Sequence, residues 1–264
     1  MEILGYLAAA LIGISLGLIG GGGSILTVPV MVYLFGLNPL LATSYSLFIV
    51  GSTSLIGAVN NYRNGLVNTK AVFFFGSASI VTVFITRKFI VPVIPENIAV
   101  INGFTITWSF LTMALFGILM LLASVSMIRD SKSSAPEKEC PECIKFFKLL
   151  GYGITIGVVT GLLGAGGGFL LIPVLIYLIK LPVKKAIGTS LMIIALNSLI
   201  GFTGDLGHIL IDWTFLLKIT MIAITGIIIG GSINNKVSSD KLKKGFGWFV
   251  LVMGIYIILK EVIR

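Results

Sequence analysis

Charge is what this sequence has least of. Only 11% of its 264 residues are Asp, Glu, Lys or Arg, against 56% hydrophobic residues, and the mean hydropathy is +1.08. A soluble globular domain carries roughly 25% charged residues. Such a chain cannot clothe its surface in polar groups, and a soluble domain is excluded. Cysteine is equally sparse. Two in the whole chain cannot make a disulfide framework. A single histidine and ten carboxylates leave no cluster of the kind a metal site or a metal transporter needs, so no metal and no cofactor is expected. No Gly-x-x-x-x-Gly-Lys-Ser/Thr loop occurs, so any work is driven by gradients rather than by ATP. The start, Met1-Glu-Ile, lacks the basic residues that open a cleavable signal. The net charge of +9 would suggest nucleic acid in a soluble protein. Here it reads as Lys and Arg gathered in short loops between membrane spans, and nucleic acid is not expected as a partner.

What the chain has in abundance is apolar runs close to 20 residues long and glycine, 32 of them. The runs make it a polytopic membrane protein in contact with the lipid bilayer. The glycines reveal a repeat. Gly17 to Pro29 (GLIGGGGSILTVP) returns as Gly161 to Pro173 (GLLGAGGGFLLIP), 144 positions later. Gly17–Asn68 set on Gly161–Asp212 without a gap gives 20 identities in 52 positions. Glycines, prolines and serines align together, which greasy composition alone does not produce. The chain is two copies of one unit: a first membrane repeat over 1–128, a charged linker over 129–148, and a second membrane repeat over 149–264.

Each repeat opens with an apolar stretch too long for one span and interrupted by glycine. Residues 4–18 and 25–36 flank the first break, and 149–163 and 169–179 the second. Each pair reads as a broken helix or helical hairpin. Spans follow at 39–61, 69–91 and 98–127, and again at 183–203, 213–232 and 245–263. With the linker cytoplasmic and each hairpin returning to its side of entry, all basic residues except Arg87, Lys88, Lys218, Lys260 and Arg264 fall inside, which is 14 of 19. Treating each broken pair as one full crossing divides them almost evenly. The positive-inside rule favours the hairpins. The expected architecture is therefore all-α, with two inverted repeats, each a Gly-broken hairpin followed by three transmembrane helices, and both termini outside. Inverted repeats with broken helices are a design of secondary transporters.

Non-helical backbone deep in a membrane survives only within protein or around a wet cavity. The breaks Gly20, Gly21, Gly22, Gly23 and Ser24, and Gly164, Gly166, Gly167 and Gly168, are accordingly candidates to line a site. A helix restarting after each break presents amides and a partial positive charge suited to a small anion. Close helix packing through small residues competes with this reading. Ser46, Ser190 and Asn197 are candidate side-chain donors, with Ser54 and Ser198 as a further symmetric pair. Asp205, His208 and Asp212 fall in one short loop, outside in this topology, and are candidates for coupling to a proton or sodium ion. His208 is of the residue type whose charge changes near neutral pH. Arg63 marks the cytoplasmic face. Cys140 and Cys143 have Cys-x-x-Cys spacing in the linker, half a zinc site at most, which leaves a redox pair or an incidental reduced pair. A homodimer is left open.

The doubled glycine motif, each copy with its Pro at the same distance, and Asp212-Trp213 closing the second, resembles the sulfite exporter TauE/SafE family over about residues 5 to 260. The first copy departs there, with Val67-Asn68-Thr69 for Ile211-Asp212-Trp213. The resemblance implies a membrane transporter, not an enzyme, exporting sulfite or an organosulfonate such as sulfoacetate. Carried onto this chain it points to Gly20–Ser24 with Pro29 and Gly164–Gly168 with Pro173. An anion channel, or sulfur chemistry at the linker cysteines, are the competing readings.

Overall fold

The computed structural model describes residues 2–101, 104–129, 146–177, 179–234 and 239–263. The first half of the chain holds α1 (Glu2–Ile19), a 3-10 segment (Gly20–Leu26), α2 (Thr27–Tyr33) and α3 (Pro39–Arg63). The helix α4 (Thr69–Val93) follows, then the strands β1 (Asn97–Ile101) and β2 (Phe104–Thr107), and then α5 (Trp108–Arg129). The second half holds α6 (Phe146–Leu163), α7 (Gly168–Tyr177), α8 (Val183–Asp205), α9 (Trp213–Asn234) and α10 (Ser239–Ile263). Local signals set several boundaries. Asn38 caps α3, its side chain accepting from the Leu40 amide at 3.0 Å, with Pro39 opening the first turn. Such a cap satisfies an amide the helix cannot.

Among the described residues, six helical stretches are long and apolar enough to cross a membrane. The first of these, Leu4–Tyr33, is not straight. A Cβ on Gly23 would stand 2.6 Å from the Leu16 amide nitrogen, whereas seven residues of straight helix would separate the two by roughly 10 Å. Beyond the turn, the Phe35 ring lies against Gly5 and stacks edge-on with Tyr6 at 5.9 Å. The chain thus returns to the end at which it entered. Gly167, the position equivalent to Gly23, folds back on Thr160 in the same way. Both glycine-broken pairs are hairpins.

The expected span over 98–127 is corrected at its start. Residues 97–107 contribute two short antiparallel strands, with Asn97 opposite Thr107 and Ile101 opposite Phe104, and the helix begins only at Trp108. The sequence between the strands is Asn102-Gly103, the strongest short-range hairpin signal. Alternating Ile, Val and Thr on either side favours the pleated form.

The helices of the two halves of the chain pack in matching pairs. Helix α1 lies on α9, and its counterpart α6 lies on α4; α3 meets α8, α5 meets α10, and α3–α9 is matched by α8–α4. Glycines make these contacts close. Cβ atoms on Gly226 and Gly17 would stand 2.5 Å from the carbonyls of Ala10 and Ile227, and one on Gly157 would stand 2.8 Å from that of Ser79. In a bilayer, where lipid competes equally for apolar surface, such close approach is what holds helices together. Two apolar cores fill the remainder, one around Leu16, Met31, Leu47 and Phe116 and the other around Phe75, Leu171 and Ile193.

Candidate functional site

The two glycine breaks meet at the centre of the molecule. A Cβ on Gly21 would stand 2.7 Å from the Gly168 Cα, and one on Gly168 would overlap the Gly21 carbonyl. The backbones touch directly, so no ligand fits between these two residues. The breaks differ in form. The first is a 3-10 segment, in which amides bond carbonyls three residues back, with one left-handed residue, Gly20 at φ 72°. The second has three, Gly164, Gly166 and Gly167, at φ 67–68°, a conformation that glycine adopts at no steric cost. All residues of both breaks from Gly20 to Ser24 and from Gly164 to Gly168 are buried.

The serines and the amide proposed as donors separate into two groups. The Ser24 and Ser190 hydroxyls bond their own chains, at Gly21 O and Ile187 O, both 2.8 Å. By contrast, Ser46, Ser54 and Ser198 are fully buried, with no partner for their hydroxyls among the described residues. Ser198 lies against the second break, 2.9 Å from where a Cβ on Gly166 would be. Asn197 donates to Ser79 Oγ at 2.7 Å and leaves Oδ1 unpaired. Turning the amide over would keep the Ser79 bond and present the NH2 group instead. A buried polar group without a partner is costly, so the unpartnered Ser198 and Thr160 hydroxyls against the second break mark where a polar ligand would be accommodated.

The three candidate coupling residues are not brought together. His208 is exposed in the turn after α8, and exposed Asp212 caps α9 through Phe215 N at 3.0 Å, its own amide held by the Tyr45 hydroxyl at 2.7 Å. Asp205 is different. It is the last residue of α8, not a loop residue, and is only 5% exposed. Its carboxylate accepts from Ser44 Oγ at 2.5 Å and from Arg87 Nη1 at 3.2 Å.

Arg87 was not among the expected site residues, yet it is the largest fully buried side chain described, 1% exposed. It lies in Thr86–Ile90, a π turn of α4, the kind of helix irregularity that recurs at functional sites. Gly204 lets α8 approach, since a Cβ there would stand 3.1 Å from the Arg87 Cβ. Nη1 alone carries the bonds, to Thr43 Oγ1 at 3.1 Å, Ser44 Oγ at 3.4 Å and Asp205. Among the described residues, Nε and Nη2 have no partner. Nη2 points at the second break, 2.6 Å from where a Cβ on left-handed Gly164 would be. The Nε–Nη2 edge is the one a guanidinium uses to hold a carboxylate or other oxyanion by two parallel bonds. The signal in the sequence is an ionisable residue beside an apolar run, where loop charge alone counts it only among the basic residues outside. Cys140 and Cys143 lie outside the described residues.

Comparison with known proteins agrees with this picture of a membrane protein. The family model described as Sulfite exporter TauE/SafE matches residues 5–257. A "Probable membrane transporter protein" of Xylella fastidiosa (strain 9a5c) is 30% identical over 259 residues, covering 96% of this chain and 94% of that one. A protein of the same description from the Temecula1 strain is 31% identical, again over 96% and 94% of the two chains. "Probable membrane transporter protein YunE" of Bacillus subtilis is 28% identical over 92% of this chain and 89% of its own. No solved structure matches the chain.

Proposed function

Because the chain belongs to the sulfite exporter TauE/SafE family of multi-pass membrane transporters, we propose that it is a secondary transporter exporting a small sulfur-containing oxyanion, sulfite or an organosulfonate. The anion is held near the midplane where the two glycine breaks come together, and inverted halves rock about it to alternate access. The observation that carries this reading is the meeting of the two breaks among buried hydroxyls without partners. Neutral donors suit an oxyanion that must also leave, and paired broken helices at a repeat interface are where secondary transporters hold substrate. Direct contact of Gly21 with Gly168 leaves no room between those two residues, which supports a site beside the crossing, along Gly164–Gly167. The reciprocal helix packing supports rocking, since each half presents equivalent helices to the other.

The test is uptake of radiolabelled sulfite into proteoliposomes, with sulfate and sulfoacetate as competitors. Saturable uptake is expected. In a Gly166→Leu variant it falls at least about tenfold, because a side chain at this left-handed position is strained and meets Ser198, Val50 and Ile194. A current that rises linearly with anion concentration and never saturates would replace the transporter by a channel.

Sidedness is tested with the two native thiols. Cys140 and Cys143 are the only cysteines and fall in the linker assigned to the cytoplasm. A membrane-impermeant maleimide should leave intact cells unlabelled and react after permeabilisation. Labelling of intact cells would turn the topology over.

A further inference from the structure

The two breaks have equivalent surroundings, but only one of them is charged. The two halves of the sequence align with an offset of 144 positions. That register persists beyond the stretch of recognisable identity. Gly161 packs on Thr86 as its equivalent Gly17 packs on Gly230, and 86 plus 144 is 230. At the second break, left-handed Gly164 abuts Thr43; at the first, left-handed Gly20 abuts Ile187, the equivalent of Thr43. Adding or subtracting the same offset places Gly231 opposite Arg87, Gly188 opposite Ser44 and Asn61 opposite Asp205. The fold therefore makes the same crossing at Gly20 with an isoleucine, two glycines and an amide. An ion pair is not required to build it. Burying one is costly, and at Gly164 the cost is borne with the Nε and Nη2 donors of Arg87 left unspent.

We propose that Arg87 is the cation of the anion site at the second break and that Asp205 is its resident counter-ion, displaced when substrate arrives with a proton. The inference rests on the transporter reading above and supplies the charge that reading lacks. In the resting state Arg87 Nη1 holds Asp205, and the pair is neutral. A proton taken from water on the His208 side converts the Asp205 carboxylate to a carboxylic acid. The guanidinium then carries an unbalanced positive charge, and a monovalent oxyanion takes it up through Nε and Nη2 at Gly164. One proton and one negative charge have entered together, so the step is electroneutral. Departure of the anion returns the proton to water and Asp205 to Arg87. The groups facing Asp205 permit this cycle. From α3 comes the Ser44 hydroxyl, while that of the next residue, Tyr45, is held on the Asp212 amide. From α4 come Arg87 and the exposed Lys88, whose ammonium is turned away over the Phe84 and Phe89 rings at 5.3 and 5.7 Å. The following turn brings His208, whose amide bonds the Asp205 carbonyl at 3.1 Å, and then Asp212, occupied as a cap.

The experiment has two arms on the full-length protein. In detergent, anion binding is read from thermal stabilisation by sulfite, sulfate, nitrate and methanesulfonate, the last a monovalent oxyanion whose own charge does not change around neutral pH. In proteoliposomes, a trapped pH dye reads proton movement when a sulfite or methanesulfonate gradient is imposed. Wild-type protein should bind an oxyanion more tightly at acid than at alkaline pH, and the dye should report protons moving with it. Asp205→Asn should bind at all pH values alike and move no protons. The charge-balanced double variant Arg87→Gln/Asp205→Asn, which avoids stranding a lone buried charge, should bind about 100-fold more weakly, the loss of two charge-assisted hydrogen bonds. If another oxyanion but not sulfite shows this dependence, the sulfite assignment falls and Arg87 stands. If sulfite binds and is transported equally well by the double variant, the proposal falls and the transporter stands. If none of the four anions binds wild-type protein, or protons still follow the anion in Asp205→Asn, the proposal is likewise overturned.

Discussion

A Gly168→Val variant will lose transport completely and will not yield a monodisperse protein in detergent. The reason is where the two breaks touch. A Cβ at position 168 would overlap the Gly21 carbonyl oxygen and stand 2.5 Å from both its carbonyl carbon and its Cα. These are backbone atoms, and they cannot rotate aside as a side chain would. Overpacking a core against movable side chains costs about 1–3 kcal/mol. Here the relief must come from separating two breaks at the centre of the repeat interface, so the effect exceeds that range. Even alanine at 168 should be damaging. The control is Gly231→Ala. That residue lies in α9 with nothing within 4 Å of an added Cβ, and helix propensity should leave the variant neutral or stabilised by up to about 1 kcal/mol. Size-exclusion profiles, melting temperatures and sulfite uptake of the three variants decide the matter. A folded, active Gly168→Val protein would mean that the breaks do not cross as described.

Much of this architecture is legible in the sequence because glycine leaves a strong mark. Four glycines before a short apolar helix and a Pro, repeated at a fixed offset, announce the breaks and the repeat. The fold-back itself follows from run lengths and from loop charge. Two things escape for different physical reasons. The strands at 97–107 sit in an apolar stretch continuous with α5, and hydropathy alone cannot distinguish a pleated from a helical apolar segment; only Asn102-Gly103 carries the difference. Arg87 escapes because its partners are remote. Asp205 is 118 positions away and Thr43 is 44, so no local pattern joins them. An arginine near the end of a span ordinarily snorkels to the interface, as exposed Lys88 beside it illustrates. The offset of 144 held the missing clue. It sets Arg87 against Gly231 and Asp205 against Asn61, two departures from symmetry that add a charge each, of opposite sign.

That pairing predicts the second large effect, on stability rather than transport. Asp205→Asn should destabilise the protein by about 3–5 kcal/mol, since it leaves a fully buried guanidinium with no counter-charge. Arg87→Leu should cost a similar amount by stranding the carboxylate, which would keep only the Ser44 hydroxyl as a partner. The double variant Arg87→Leu/Asp205→Asn, which restores at this break the neutral character of the other one, should lie within about 1–2 kcal/mol of wild type, because replacing a whole buried pair is far less costly than breaking it. The deviation from additivity is therefore several kcal/mol, larger than for any pair of distant sites. Lys88→Ala, one residue away but exposed, should change stability by less than about 0.5 kcal/mol. Thermal and denaturant unfolding in the same detergent supply all five values. Additive single effects would show that Arg87 and Asp205 do not share a buried site. A strongly coupled cycle whose double variant folds well would show that the pair is dispensable to the fold, and a costly feature dispensable to the fold has to be explained by what the protein transports.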